Sequence, residues 1–316
     1  MNVEREVPSS GVVERIVYRG AQAAARAAAD LVIEIPHGAT RTSEYVALHA
    51  QLRGMFPDGL EDFFHVNTDA GAPELAEALA TRLVTTAPRR TVEILRCRIP
   101  RTFIDCNRDI TADPAAFREG RVTPGVPPYV KDPEDLALLH RLYAAWRDVV
   151  GASFAAACGA SGGPGGRALM LHTYAPRSVE VEVDADIVAA LHQAYLPDIW
   201  PRWPLRPEVD LIGRTLAGGL VVDPALVAAL VRAFAGVDVT MAVGETYPLH
   251  PSTLAFGAAA AYPGRTLCLE VRRDLLAAPF TPFAEMIISP ASTERLAAPL
   301  ATVMEGWLSG DYGPWS

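Results

Sequence analysis

The chain has 316 residues, half of them apolar, with a formal net charge of −9. Such a length sustains a full hydrophobic core, and the acidic balance with no basic run excludes a general nucleic-acid binder. No apolar run is long enough to span a bilayer, and charges scattered through residues 1–19 do not read as a signal peptide.

Taken in chain order, the pattern alternates strands with helices and predicts an α/β fold with a mixed sheet. Residues 31–35 form an apolar run after an Ala-rich, helix-like stretch; it ends at Pro36 and delivers His37 to a strand end. Residues 73–85 read as a helix, with Leu75, Leu79 and Leu83 four apart. Strands follow at 91–95 and at 103–104, the latter carrying Phe103 and Ile104. Residues 109–133 are rich in proline, glycine and charge and read as a surface loop, long enough to be a lid. A long helix at 133–157, a turn at 159–166 and a strand at 168–171 bring a second histidine, His172, to a strand end.

Residues 178–183 alternate like a strand, and 196–207 are irregular, with two tryptophans and four prolines. Asp223 and Pro224 open a helix over 223–235, as N-cap and first helical residue. Strands at 237–243 and 265–271 follow, the second bearing Glu270, and a helix over 292–308 closes the pattern, capped by Ser292 or Thr293. No internal repeat marks a boundary. The reading is one domain over 1–316, with 195–210 the best candidate for a subdomain edge.

Cys97, Cys106, Cys158 and Cys268 lie in or near apolar runs without a CxxC spacing. Free thiols and a cytoplasmic, reducing location are therefore expected. Lys131 is the only lysine, so a lysine Schiff-base or P-loop mechanism has no other residue to use.

His37, His172 and Glu270 all stand at strand ends, where open α/β sheets place their sites. Two neutral imidazoles and a carboxylate are the usual ligands of a catalytic zinc, with another carboxylate as general base. Asp69, Glu44, Glu245 and Glu270 are the carboxylates on offer. Plain structural roles compete: Asp69 as a helix cap, Glu270 paired with Arg272 or Arg273. His65 reads as structural, and His49, His140 and His192 as helix-packing or surface residues. The segment from Arg101 to Arg108 (RTFIDCNR) sets two guanidinium forks, an aspartate and an asparagine around an apolar pair. It suits a carboxylate clamp with an oxyanion donor, and equally a structural ion pair at a strand end.

Four blocks, in order, resemble the N-formylglutamate amidohydrolase family, which is related to zinc carboxypeptidases. They are Ile35-Pro36-His37-Gly38 with Thr40-Arg41; Asn67-Thr68-Asp69 before a helix; Arg101 to Arg108; and Leu171-His172-Thr173 with Arg177-Ser178. The 210–226 segment and Leu269-Glu270-Val271-Arg272 add weaker likeness, so the resemblance spans roughly 31–276.

The resemblance implies a three-layer mixed-sheet fold similar to zinc carboxypeptidases, and a Zn2+-dependent amidohydrolase acting on a small N-formyl or N-acyl amino acid. It nominates His37, Asp69 and His172 as metal ligands, with Glu44 the alternative to Asp69. Glu270 becomes the general base and Arg101 the oxyanion donor. Asn107 and Arg108 become a substrate-carboxylate clamp, Asp105 the residue that orients an arginine, and Arg177 a second cation. Two alternatives stand beside it: a metallocarboxypeptidase-like peptide hydrolase, and a catalytically silent carboxylate-binding protein of the same fold. The sequence departs from the family pattern at Met170, where an aspartate is usual, at Thr40, and across 244–250, a stretch expected to shape the substrate pocket.

Overall fold

In the computed structural model, residues 1–6, 11–25, 28–111, 123–159 and 165–311 are described. Period-two burial builds the central strands. In β3 (Leu31–Ile35), Leu31, Ile33 and Ile35 join one buried cluster and Val32 joins the other. β4 (Thr91–Cys97) and β5 (Arg167–Tyr174) lie parallel on either side of β3, and β8 (Thr266–Arg272) lies parallel beside β5. The edges are β1 (Asn2–Glu6) and β2 (Val13–Arg19) on one side, β6 (Val209–Leu211) and β7 (Met241–Val243) on the other. The eight-stranded order is β1-β2-β4-β3-β5-β8-β6-β7, with β1/β2, β2/β4 and β6/β8 antiparallel.

Helices cover both faces. α3 (Ala72–Thr86) buries Leu75, Leu79 and Leu83 on one face, together with α6 (Pro224–Ala235) and α8 (Pro290–Ser309). The other face holds α1 (Thr42–His49), α2 (Leu60–Asn67), α4 (Pro133–Cys158) and α5 (Ile187–Ala194), with Trp146 of α4 fully buried. α7 (Leu254–Ala261) packs beside β8. The expected three-layer α/β architecture is what the chain forms.

Several local expectations are corrected. Phe103 and Ile104 are buried but belong to no strand, Phe103 closing a turn and Ile104 lying in irregular backbone, and 178–183 forms no strand. The 237–243 strand shrinks to Met241–Val243. α8 is capped by the Ser289 hydroxyl, which accepts from the Ser292 amide, three residues before the expected cap. No helix spans the described residues just before β3, and β1 and β2 were not anticipated. Residues 112–122 of the expected lid, and 160–164 of the expected turn, lie outside the described residues. No described helix is long and apolar enough to cross a membrane, and all four cysteines are buried and free.

Candidate active site

The adjacent parallel strands β3, β5 and β8 end on one rim of the sheet. His37 leaves β3 two residues past its end, and His172 stands opposite Glu270 in the β5/β8 register. Asp69 arrives from the α2–α3 connection, where Gly71 holds φ at +91° and a Cβ would lie 2.8 Å from the Leu276 side chain. Only glycine suits that turn. Main-chain bonding then ties the pieces together: the Asp69 amide donates to the His37 carbonyl at 3.2 Å, and the Thr68 hydroxyl to the Ala39 carbonyl at 2.5 Å. Beside His172, the Thr173 hydroxyl donates to the Ala70 carbonyl at 2.9 Å.

The Nδ1 atoms of both imidazoles face one oxygen, Asp69 Oδ2, at 3.2 Å from His37 and 2.9 Å from His172. All three side chains are buried, and one ligand atom from each lies within 4.8 Å of the others. On its far side His37 Nε2 is 2.7 Å from Asp105 Oδ1. Burial pushes the Asp105 carboxyl up, but Arg101, Arg108 and His37 hold it well below the usual carboxylate range. Asp105 is thus an ionised acceptor, and His37 Nε2 carries the proton.

On its other side, His37 Nδ1 faces Asp69. Burial also pushes the Asp69 carboxyl up, and the His37 and His172 imidazoles outweigh it and hold it ionised. Burial draws His172 down, but the Asp69 carboxylate and the Cys268 sulfur raise it well above its ordinary value. Two imidazole nitrogens and an anionic oxygen facing one another require a cation among them, whether protons or a metal ion. This donor set of two nitrogens and one oxygen fits a divalent transition metal such as zinc.

The expected RTFIDCNR clamp is a pinned loop. Phe103 and Ile104 are fully buried, Phe103 stacks on Tyr45 at 5.4 Å, and the Tyr129 and Tyr143 hydroxyls donate to the Thr102 and Arg108 carbonyls. This anchoring turns the polar residues toward the cavity. Asp105 Oδ2 accepts from Arg101 Nε at 2.9 Å and sits 3.7 Å from Arg108 Nε. Asp105 therefore orients His37 as well as Arg101, a link across 68 residues that the sequence did not disclose. The Asn107 amide lies 3.5 Å from His172 Nε2.

Glu270 is among the residues lining the same cavity of about 250 Å³, and its Oε2 has no hydrogen-bond partner among the described residues. Burial and the nearby Asp69 carboxylate raise its carboxyl above the usual range, against the pull of His172. The suspected pairing of Glu270 with Arg272 or Arg273 is absent among the described residues. Arg272 pairs with Asp274, while Arg273 donates to the Val66 and Thr173 carbonyls and lies 4.0 Å from Asp69 Oδ1.

Glu44 is not near the trio. It accepts from the Thr40 and Arg41 amides and pairs with Arg96 and Arg98, so it serves as a capping and bridging residue. Glu245 is exposed and outside the cavity, and His65 bonds within its own neighbourhood, to Thr42 and Glu61. Arg177 does line the cavity, with one nitrogen donating to the Trp203 carbonyl at 2.6 Å.

Sequence reasoning missed Arg206, whose guanidinium lies 5.1 Å over the Tyr174 ring and 5.5 Å over Tyr247, and donates to the Tyr247 hydroxyl. Tyr247 stands in the 244–250 stretch and does line the cavity. That stretch is held by Asp210, whose carboxylate accepts from the Gly244, Glu245 and Thr246 amides.

The family model for N-formylglutamate amidohydrolase matches residues 29–277, well over half of the sequence. The chain belongs to the N-formylglutamate amidohydrolase family. Membership places it among hydrolases of amide bonds. Its fold is similar to that of the N-formylglutamate amidohydrolase from Ralstonia eutropha JMP134, at 16% identity and a TM-score of 0.59, covering 95% of this chain and 99% of that one. It is also similar to a gene product from Agrobacterium tumefaciens, at 18% identity and a TM-score of 0.51, covering 95% of each chain. A search of the curated proteins finds no match.

Proposed function

We propose that this family member is a zinc-dependent amidohydrolase that cleaves an N-formyl or N-acyl amino acid, with residues 1–316 acting as one catalytic unit. The observation that carries the reading is the convergence of His37 Nδ1, His172 Nδ1 and Asp69 Oδ2 in a cavity that Glu270 and Arg101 also line. His37, Asp69 and His172 would hold the zinc, which when bound supplies Lewis acidity and brings the pKa of a coordinated water to about 7.

The chain's own residues do the rest. Glu270 accepts the proton of the attacking water and returns it to the departing amine; its buried, unbonded oxygen suits that work. The free end of Arg101, whose Nε is fixed by Asp105, faces the developing oxyanion; one such donor is worth about 100- to 1000-fold in rate. Arg108 and Asn107 hold the substrate carboxylate. Arg177 is a further cation on the cavity wall. The net charge of −9 does not draw an acidic substrate from a distance, so these arginines supply the local field.

Metal analysis of purified protein tests the ligand set: stoichiometric zinc is expected, and both His37→Ala and His172→Ala should lose it. Stoichiometric metal in both variants would refute the assignment. Glu270→Gln should keep its metal and lose turnover of formyl-amino acids; an active variant removes Glu270 from the base role.

A further inference from the structure

We infer that the cavity selects a substrate with a bulky aliphatic or aromatic side chain, and that a dicarboxylic one such as formylglutamate is a poor substrate. This rests on the hydrolase reading above and names its substrate class.

The inference comes from what lies beside the polar cluster. Val179, Val181 and Val183 line the cavity, while the intervening Glu180 and Glu182 are exposed. An extended segment sends alternate side chains to opposite faces, so this stretch lays a row of three valines along the wall. Phe63 of α2 and Ile187 and Leu191 of α5 line the cavity as well. All six belong to, or pack against, the same apolar cluster. An aliphatic or aromatic group gains by leaving water there, whereas a carboxylate against these six residues would lose its hydration and meet no cation among them.

The cations of the cavity do not undo this. Arg206 spends its three nitrogens on Ser178, the Ala175 carbonyl and Tyr247. Arg273 gives its terminal nitrogens to the Val66 and Thr173 carbonyls; only its Nε lacks a partner among the described residues, and that atom is buried away from solvent. Arg108 gives Nε to the Thr123 carbonyl and a terminal nitrogen to the Asn107 carbonyl. One α-carboxylate and one oxyanion use the remaining donors of Arg108 and Arg101. A side-chain carboxylate would then depend on Arg177, which already donates to Trp203.

The test is kcat/KM of the zinc-loaded protein for N-formyl-leucine, N-formyl-phenylalanine, N-formyl-alanine and N-formylglutamate. A single methylene in an apolar pocket discriminates by about 10- to 200-fold. Formyl-leucine or formyl-phenylalanine should therefore lead formylglutamate by at least about tenfold. Val181→Asp should lower the leucine-to-alanine ratio by a similar factor. A lead for formylglutamate that Arg177→Gln abolishes overturns the inference and leaves the hydrolase reading standing.

Calorimetric binding of N-acetyl-leucine and N-acetylglutamate to the same zinc-loaded protein separates the two failures. Tighter acetyl-leucine with no turnover of any formyl-amino acid defeats the hydrolase and keeps the apolar selectivity. Tighter acetylglutamate defeats the selectivity whatever the turnover.

Discussion

Glu34 offers a sharp quantitative test, because its cost is written into its surroundings. It lies on β3 in register with Leu95 and Met170, is 2% exposed, and leaves Oε1 without a hydrogen-bond partner among the described residues. Burial pushes its carboxyl from 4.5 up to about 7, against the pull of His172 and Arg147. The folded state thus binds this proton more tightly than the unfolded chain does. The penalty is absent below the unfolded pKa, grows as pH rises, and is complete above the folded value of about 7. At about 1.4 kcal/mol per pH unit, it reaches about 3 kcal/mol.

Glu34→Gln keeps the shape and removes the charge. Its stability relative to the parent should therefore rise by about 3 kcal/mol between about pH 4 and about pH 8. Urea unfolding of both proteins across that range, with chelator present, reads the difference directly. A difference that stays constant with pH would refute the reasoning and mean that the buried carboxyl is solvated or paired when folded.

Two further outcomes follow from the site. Asp105→Asn weakens the acceptor that fixes the His37 proton on Nε2, and zinc affinity measured by competition with a chromophoric chelator should fall about 10- to 100-fold. Gly71→Ala forces a side chain into a φ of +91° against Leu276. It should destabilise the protein by about 1–3 kcal/mol in denaturant melts and weaken metal binding, since Asp69 is two residues away. Unchanged stability would mean that the turn relaxes freely.

The site was legible where local pattern and chemistry coincide. The apolar runs ending at His37 and leading through His172, and the late strand carrying Glu270, announced both the sheet and the rim where the candidate site lies. The 101–108 block was legible as a polar cluster but not as a loop, because Phe103 and Ile104 look alike whether a ladder or a second core buries them. The alternation at 178–183 had the period of a strand, yet the face opposite its glutamates meets a cavity, and no ladder forms. β1 escaped notice because an exposed edge of mixed charge, all five residues exposed, carries no apolar signal. The His37–Asp105 bond and the Arg206 cage between two tyrosines join residues far apart in sequence, and no periodicity encodes such meetings.

The fastening of the three donors has a consequence for ion choice. His37 and Asp69 share a main-chain hydrogen bond, Thr68 is tied to Ala39, and Thr173, next to His172, is tied to Ala70 next to Asp69. These bonds fix the backbone that carries the three donor side chains, whether or not an ion is bound. A cation of larger radius must stretch them to be wrapped equally well, while one close to zinc in size need not. If the trio holds an ion as proposed, the polypeptide would act as a gauge: swapping ions should alter occupancy and rate, and leave the backbone of the rim where it was.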